Sequence, residues 1–148
     1  MIAVRPLEGS TDVSKCLDLV KGNWGAVSTE RALEQMYDFF KGGKYAPKFF
    51  VAEKAGSIVG FAAYQRSMRM HGAFDLIWLA VDELCHSSGV GKKLTEHRIA
   101  EVKKLDASVV TLVTQKPSYF KQFGFTAGAL LGNNWVEMVL VLKPADMS

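Results

Sequence analysis

The chain has 148 residues, 49% of them hydrophobic and 22% charged, with a formal net charge of +3. That length predicts one domain whose core needs neither disulfides nor a structural metal, and the composition is too apolar for intrinsic disorder. The small positive charge suits a polyanionic small molecule but falls short of the clustered basic footprint of a nucleic-acid binder, so no nucleic-acid partner is expected.

Ile2 to Arg5 alternates apolar and variable residues before Pro6 and reads as a first strand. Arg5, Glu8 and Asp12 interrupt the region where a secretory leader would carry its apolar stretch, so a cytoplasmic location is expected. Ser10, Thr11 and Asp12 offer N-caps for a helix with Val13, Cys16, Leu17 and Val20 on one face, ending near Gly22. Ser28 or Thr29 caps a second helix carrying Leu33, Met36, Tyr37 and Phe40, stopped by Gly42 and Gly43.

Phe49 to Glu53 and Ile58 to Gln65 read as strands around an Ala55-Gly56 turn, and Asp75 to Val81 completes an antiparallel meander. The strongest apolar runs, Ile58 to Tyr64 and Leu76 to Val81, are of strand length, far below the roughly 18 residues of a membrane helix, so no membrane partner is expected. Val90 to Leu105 is an amphipathic helix with Val90, Leu94, Val102 and Leu105 on its apolar side. Arg98 falls near the middle of that side, and the helical pattern gives no account of it. Ser108 to Val113 is short and β-branched, the pattern of a strand buried on both faces. Pro117 to Gln122 suits a short helix and Trp135 to Leu142 a closing strand, with a further strand near Phe125. No repeat or linker divides the chain, so residues 1–148 form one domain of the α/β class with a mixed sheet.

Cys16 and Cys85 form no Cys-x-x-Cys pair, and His71, His86 and His97 lack metal-ligand spacing, so neither a disulfide framework nor a metal is expected. The informative stretch is Leu79-Ala-Val-Asp-Glu-Leu-Cys-His-Ser-Ser-Gly-Val-Gly-Lys-Lys-Leu94, a buried strand entering a small-residue turn that opens a helix. Amides from Ser87 to Lys92 at a positive dipole end favour an anion, and Gly89 and Gly91 permit close approach. A Walker A loop would need Gly at His86 and Ser or Thr at Lys93; a dinucleotide fingerprint would need Gly at Leu94. Neither fits.

The loop instead resembles motif A of the GNAT superfamily of N-acetyltransferases, Arg/Gln-x-x-Gly-x-Gly/Ala, carried here by His86, Ser87, Ser88, Gly89, Val90 and Gly91 after Leu79-Ala-Val-Asp82. Its first position departs from the pattern, with His86 in place of Arg or Gln. Tyr119-Phe-Lys-Gln-Phe-Gly-Phe125 is similar to a further family segment, and Phe50 to Phe61 to its opening hairpin. The resemblance implies a largely antiparallel sheet flanked by helices and splayed at its centre between Val81 and Ser108. It implies acetyl-CoA as cosubstrate, its pantetheine arm pairing with Leu79, Ala80 and Val81 and its pyrophosphate resting on Ser88 to Lys92. It also implies a carboxylate base, here Asp75, and a tyrosine acid. The family's tyrosine position is Phe120, and the phenol stands one residue earlier at Tyr119. Either the local helix is offset and Tyr119 serves, or the thiolate leaves toward water or another donor such as Cys85.

The implied reaction is direct acetyl transfer to a primary amine of a small molecule or peptide. A non-catalytic acyl-CoA-binding sensor with the same fold is the alternative. Acceptor-pocket candidates include Trp24, Phe39, Tyr45, Tyr64, Arg66, Arg69 and Trp135, and the apolar closing strand around Trp135 suggests a homodimer.

Overall fold

The structure, a computed structural model, describes residues 1–86 and 88–143. Strand β1 (Ile2–Pro6) leads into helices α1 (Gly9–Trp24) and α2 (Ala26–Lys41). Strands β2 (Lys48–Lys54), β3 (Ser57–Arg66) and β4 (Ala73–Val81) form the expected meander, followed by α3 (Val90–Lys104) and β5 (Val109–Thr114). A short helix α4 (Pro117–Phe120) precedes β6 (Thr126–Gly132) and β7 (Trp135–Val141). These strands make one seven-stranded sheet ordered β1-β2-β3-β4-β5-β7-β6. Every pairing is antiparallel except β4 with β5, the pair joined by the α3 crossover.

That parallel pair is short. Only Ala73, Phe74 and Asp75 pair with Val109, Val110 and Thr111, so residues 76–81 of β4 have no strand beside them on the β5 side. The sheet therefore splays at its centre, as the family resemblance implied. Alternating side chains give it two cores. Phe50, Tyr64, Phe74 and Leu76 pack with Leu94 and Val102 of α3 on one face. Phe49, Val51, Phe61 and Ala80 pack with Cys16, Val20 and Met36 of α1 and α2 on the other.

Several local expectations change. Helix α1 starts at Gly9 and runs through Gly22, and α2 starts at Ala26, because the turn falls at Gly25 with φ +87. Asp12 is not the N-cap: its buried carboxylate receives Arg5 from β1 at 2.6 and 3.0 Å and the Glu8 N–H at 2.8 Å. Strand β5 is buried on one face only, since α1 and α2 pack over β2, β3 and β4 and stop short of it; Val113 is half exposed. The last strand, β7, lies between β5 and β6, so the two edges of the sheet are β1 and β6, the latter exposed along its length. An edge-to-edge contact between two copies would therefore use β1 or β6 and not the backbone around Trp135. No described helix is long and apolar enough to cross a membrane.

Candidate active site

Strand β4 leaves the sheet through a tight turn. Asp82 Oδ1 accepts the Leu84 N–H at 3.0 Å, and the Asp82 carbonyl accepts the Cys85 N–H at 2.8 Å. Both the N–H and the hydroxyl of Ser88 donate to the Cys85 carbonyl, at 3.1 and 2.6 Å. Ser88 is thus spent on the turn itself, which leaves Gly89, Val90, Gly91 and Lys92 as the expected anion donors among the described residues. Ser87 lies outside the described residues. Gly89 takes φ +84, a left-handed conformation that turns the chain into α3, and no side chain caps that helix. Among the described residues, the first bond across this turn runs from Lys93 N–H to the Gly89 carbonyl at 3.0 Å, and no described acceptor takes the amides of Gly89 to Lys92, which can face an anionic guest. Val90 can offer only its amide, its side chain being wholly buried, whereas Lys92 is exposed.

His86 does not face this cradle. Its Nε2 lies 3.0 Å from the Val81 carbonyl, and since a carbonyl only accepts, the proton must sit on that nitrogen. The ring closes the turn back onto the end of β4.

Gly91 is needed for space. A Cβ built there would stand 2.8 Å from the Tyr119 hydroxyl and 3.9 Å from a Val81 methyl. The phenol of α4 thus reaches across the splay to the start of α3, beside the last residue of β4. Phe120 turns the other way into the core, 8% exposed, with its ring against Phe125. The offset between chain and family pattern is therefore met by rotation: the tyrosine faces the gap and the phenylalanine packs. Burial pushes the Tyr119 hydroxyl above its ordinary pKa, with the Arg98 charge acting in the opposite sense, so it holds its proton at neutral pH.

Asp75 is half buried at the last rung before β4 and β5 part, where its Oδ1 accepts the Thr111 hydroxyl at 2.6 Å. Opposite it across the β3 pairing stands Gln65. A groove of about 630 Å³ opens on this side, lined by Gln65, Gln35, Asp38, Lys41 and Tyr45. Gln35 accepts the Trp78 indole N–H at 2.7 Å, and Trp24 packs edge-on to that indole at 5.8 Å. Of the sequence-derived pocket candidates, Tyr45 lines this groove, whereas Trp24 packs on Trp78 and is not part of its lining. Tyr64 is buried between Phe50 and Phe74 on the α3 face, and Arg66 stacks on Phe74, so both leave the pocket. Arg69 pairs with Glu137 at 3.2 Å, and Phe39 packs against Phe49.

One central residue had no role in the sequence reading. Arg98 is 2% exposed, and its Nη1 donates to the carbonyls of Ala63, Ile77 and Trp78 at 3.0, 3.2 and 3.3 Å. Its other nitrogens reach the Leu94 carbonyl and the Thr95 hydroxyl, each at 3.3 Å. Burial pushes its pKa down to about 9, so it stays charged at neutral pH. The signal for it was an arginine within the apolar arc of an otherwise regular helix.

An uncapped helix end beneath a parted pair of strands, with a glycine keeping the passage clear, fits a thioester carrier with a diphosphate. The sequence profile described as "Acetyltransferase (GNAT) domain" matches residues 46–127, more than half of the chain. The chain belongs to the GNAT family. As a GNAT acetyltransferase it takes acetyl-CoA as cosubstrate. No curated protein matches it significantly. Among solved structures, a GNAT-family protein from Desulfovibrio desulfuricans superposes with a TM-score of 0.85 at 20% identity, over 95% of this chain and 99% of that one. The ribosomal-protein-S18-alanine N-acetyltransferase of Escherichia coli gives 0.76 at 19%, over 99% and 97%. The PaiA N-acetyltransferase of Thermoplasma acidophilum, solved with coenzyme A, gives 0.75 at 15%, over 95% and 99%. At these identities the superpositions establish the GNAT fold.

Proposed function

We propose that this GNAT protein transfers acetyl directly from acetyl-CoA to a primary amine of a small molecule or peptide in the cytoplasm. The observation that carries the reading is the parting of β4 from β5 after Asp75, directly before the uncapped start of α3. Amides of Gly89 to Lys92 hold the diphosphate, with the exposed Lys92 ammonium adding charge. The backbone of Leu79, Ala80 and Val81 pairs with the pantetheine arm as an added strand would.

The amine is the harder partner to prepare. Neutralising an amine of pKa near 10.4 at pH 7 costs about 4.6 kcal/mol, against about 2 kcal/mol to release a thiolate of pKa near 8.5. A base therefore matters more than an acid. Asp75, reached along the groove past Tyr45 and Gln65, takes the amine proton directly or through one water. The amine lone pair adds to the thioester carbon, the C–S bond breaks, and Tyr119, protonated and facing the gap, supplies the proton to the departing sulfur. A main-chain N–H of β4 receives the negative charge on the carbonyl oxygen.

Calorimetric titration with acetyl-CoA, CoA and ATP, followed by a thiol-release screen over amines, tests this. Binding of the two CoA species but not ATP, with amine-dependent release, is expected. Asp75→Asn and Tyr119→Phe should each slow release by about 10²-fold or more, the usual scale for a proton-transfer group. Binding with no release on any amine would favour the sensor reading, which draws support from His86 being turned away from the cradle. No binding would end both.

A further inference from the structure

Among the described residues, Arg98 is a wholly buried cation with no carboxylate within ion-pair distance. Desolvating such a charge is costly. A leucine would fill the position in an apolar helix face without that cost. Three of its five acceptors lie on a single irregularity. The register of β4 against β3 slips between Ala62 and Ala63, and Trp78, the extra residue, sits at φ +49, a conformation that a bulky side chain rarely adopts. The carbonyls on either side of this bulge, Ile77 and Trp78, are both drawn onto Arg98 Nη1, together with Ala63 from β3.

The geometry of the peptide unit carries this further. In a planar trans peptide the N–H lies on the edge opposite the carbonyl. Fixing the Trp78 carbonyl toward α3 therefore aims the Leu79 N–H away from α3. A positive charge on the carbonyl oxygen also polarises the unit, strengthening that N–H as a donor in a site of low dielectric. Leu79 belongs to the stretch that has no β5 partner, where the proposed carrier arm would lie.

We propose that Arg98 is a positioning residue for acetyl transfer: by gripping the bulge carbonyls it holds and polarises the Leu79 N–H that receives the thioester carbonyl oxygen. This rests on the carrier lying along Leu79 to Val81. It distinguishes Arg98 from an internal strut, because a strut would affect stability without changing the electronic state of the bound acetyl group.

The test uses infrared difference spectra of acetyl-CoA labelled with ¹³C at the carbonyl, bound to the wild type, Arg98→Lys and Arg98→Met. The wild type should lower the carbonyl frequency relative to free acetyl-CoA. Arg98→Met should lose most of that lowering and Arg98→Lys should keep much of it, while CoA affinity stays within about threefold, since the diphosphate cradle is untouched. An equal carbonyl frequency in Arg98→Met and wild type overturns the role. If Arg98→Met does not fold, the wild type decides by NMR: the Leu79 amide proton should move downfield with acetyl-CoA relative to CoA, and identical positions overturn the role. Failure of the wild type to bind CoA at all by calorimetry would remove the carrier site, and this role with it, and is read separately.

Discussion

At Gly91 the absence of a side chain leaves room for the Tyr119 hydroxyl, and that contact can be tested directly. Gly91→Ala would press a methyl to 2.8 Å from this oxygen, at the helix turn whose amides are to hold the diphosphate. We expect CoA affinity to fall about tenfold, the equivalent of about 1.4 kcal/mol. Adding Tyr119→Phe removes the colliding atom, so the double variant should bind CoA more tightly than Gly91→Ala alone. An additive double-mutant cycle by calorimetry would show that the two residues do not meet. The glycines, the loop and Tyr119 were all legible in the sequence because small residues and a displaced motif tyrosine leave a one-dimensional signature. That the phenol, and not Phe120, faces the gap was not legible: it depends on how α4 is rotated against the core, and Phe125 and the neighbouring aromatics set that. Ser88 shows the converse, an apparent donor consumed by its own turn.

The elements are tied to one another by polar contacts that no periodicity announces. Arg5 on β1 joins Asp12 on α1 and Glu53 on β2, with nitrogen-to-oxygen distances of 2.6 to 3.0 Å, and so fixes α1 to the sheet. The Arg5 guanidinium, with help from the Glu8 N–H, holds the Asp12 carboxyl below its ordinary pKa. The unfolded state thus binds a proton more readily than the folded one, so the stabilisation is fully present above the unfolded pKa of about 3.9 and is lost as pH falls through the lower folded value. Urea midpoints should therefore drop as pH falls below about 4, and Asp12→Asn should flatten that drop while costing about 2 kcal/mol at pH 7. An unchanged acid limb in the variant would assign the loss to other groups. Element order and the meander were readable from apolar alternation. The helix starts were displaced because Ser10, Thr11, Ser28 and Thr29 mimic caps, while the Arg5 contact and the turn at Gly25 decide where each helix begins.

Across the whole molecule, the sheet is two blocks joined by little backbone. β1 to β4 with α1 and α2 form one, β5, β7 and β6 the other; three residue pairs and the Asp75 to Thr111 bond join them, with the Ser108 N–H on the Gly72 carbonyl at 2.8 Å. The splay could be expected from the resemblance, but its starting point could not, since strand runs in sequence do not say where pairing ceases. A carrier arm laid along Leu79 to Val81, as proposed, would supply the missing neighbour for β4 and bridge both blocks. Acetyl-CoA at 100 times its Kd should then raise stability by about 2.7 kcal/mol, or Tm by about 5–10 °C for a domain of this size. Hydrogen exchange should slow most at the amides of residues 79–81 and 89–92, and little in β6, which is exposed along its full length. If protection instead fell on β6 and β7 and spared the start of α3, the carrier would be lying elsewhere. The thermal gain would then come from binding alone, with the central gap left open.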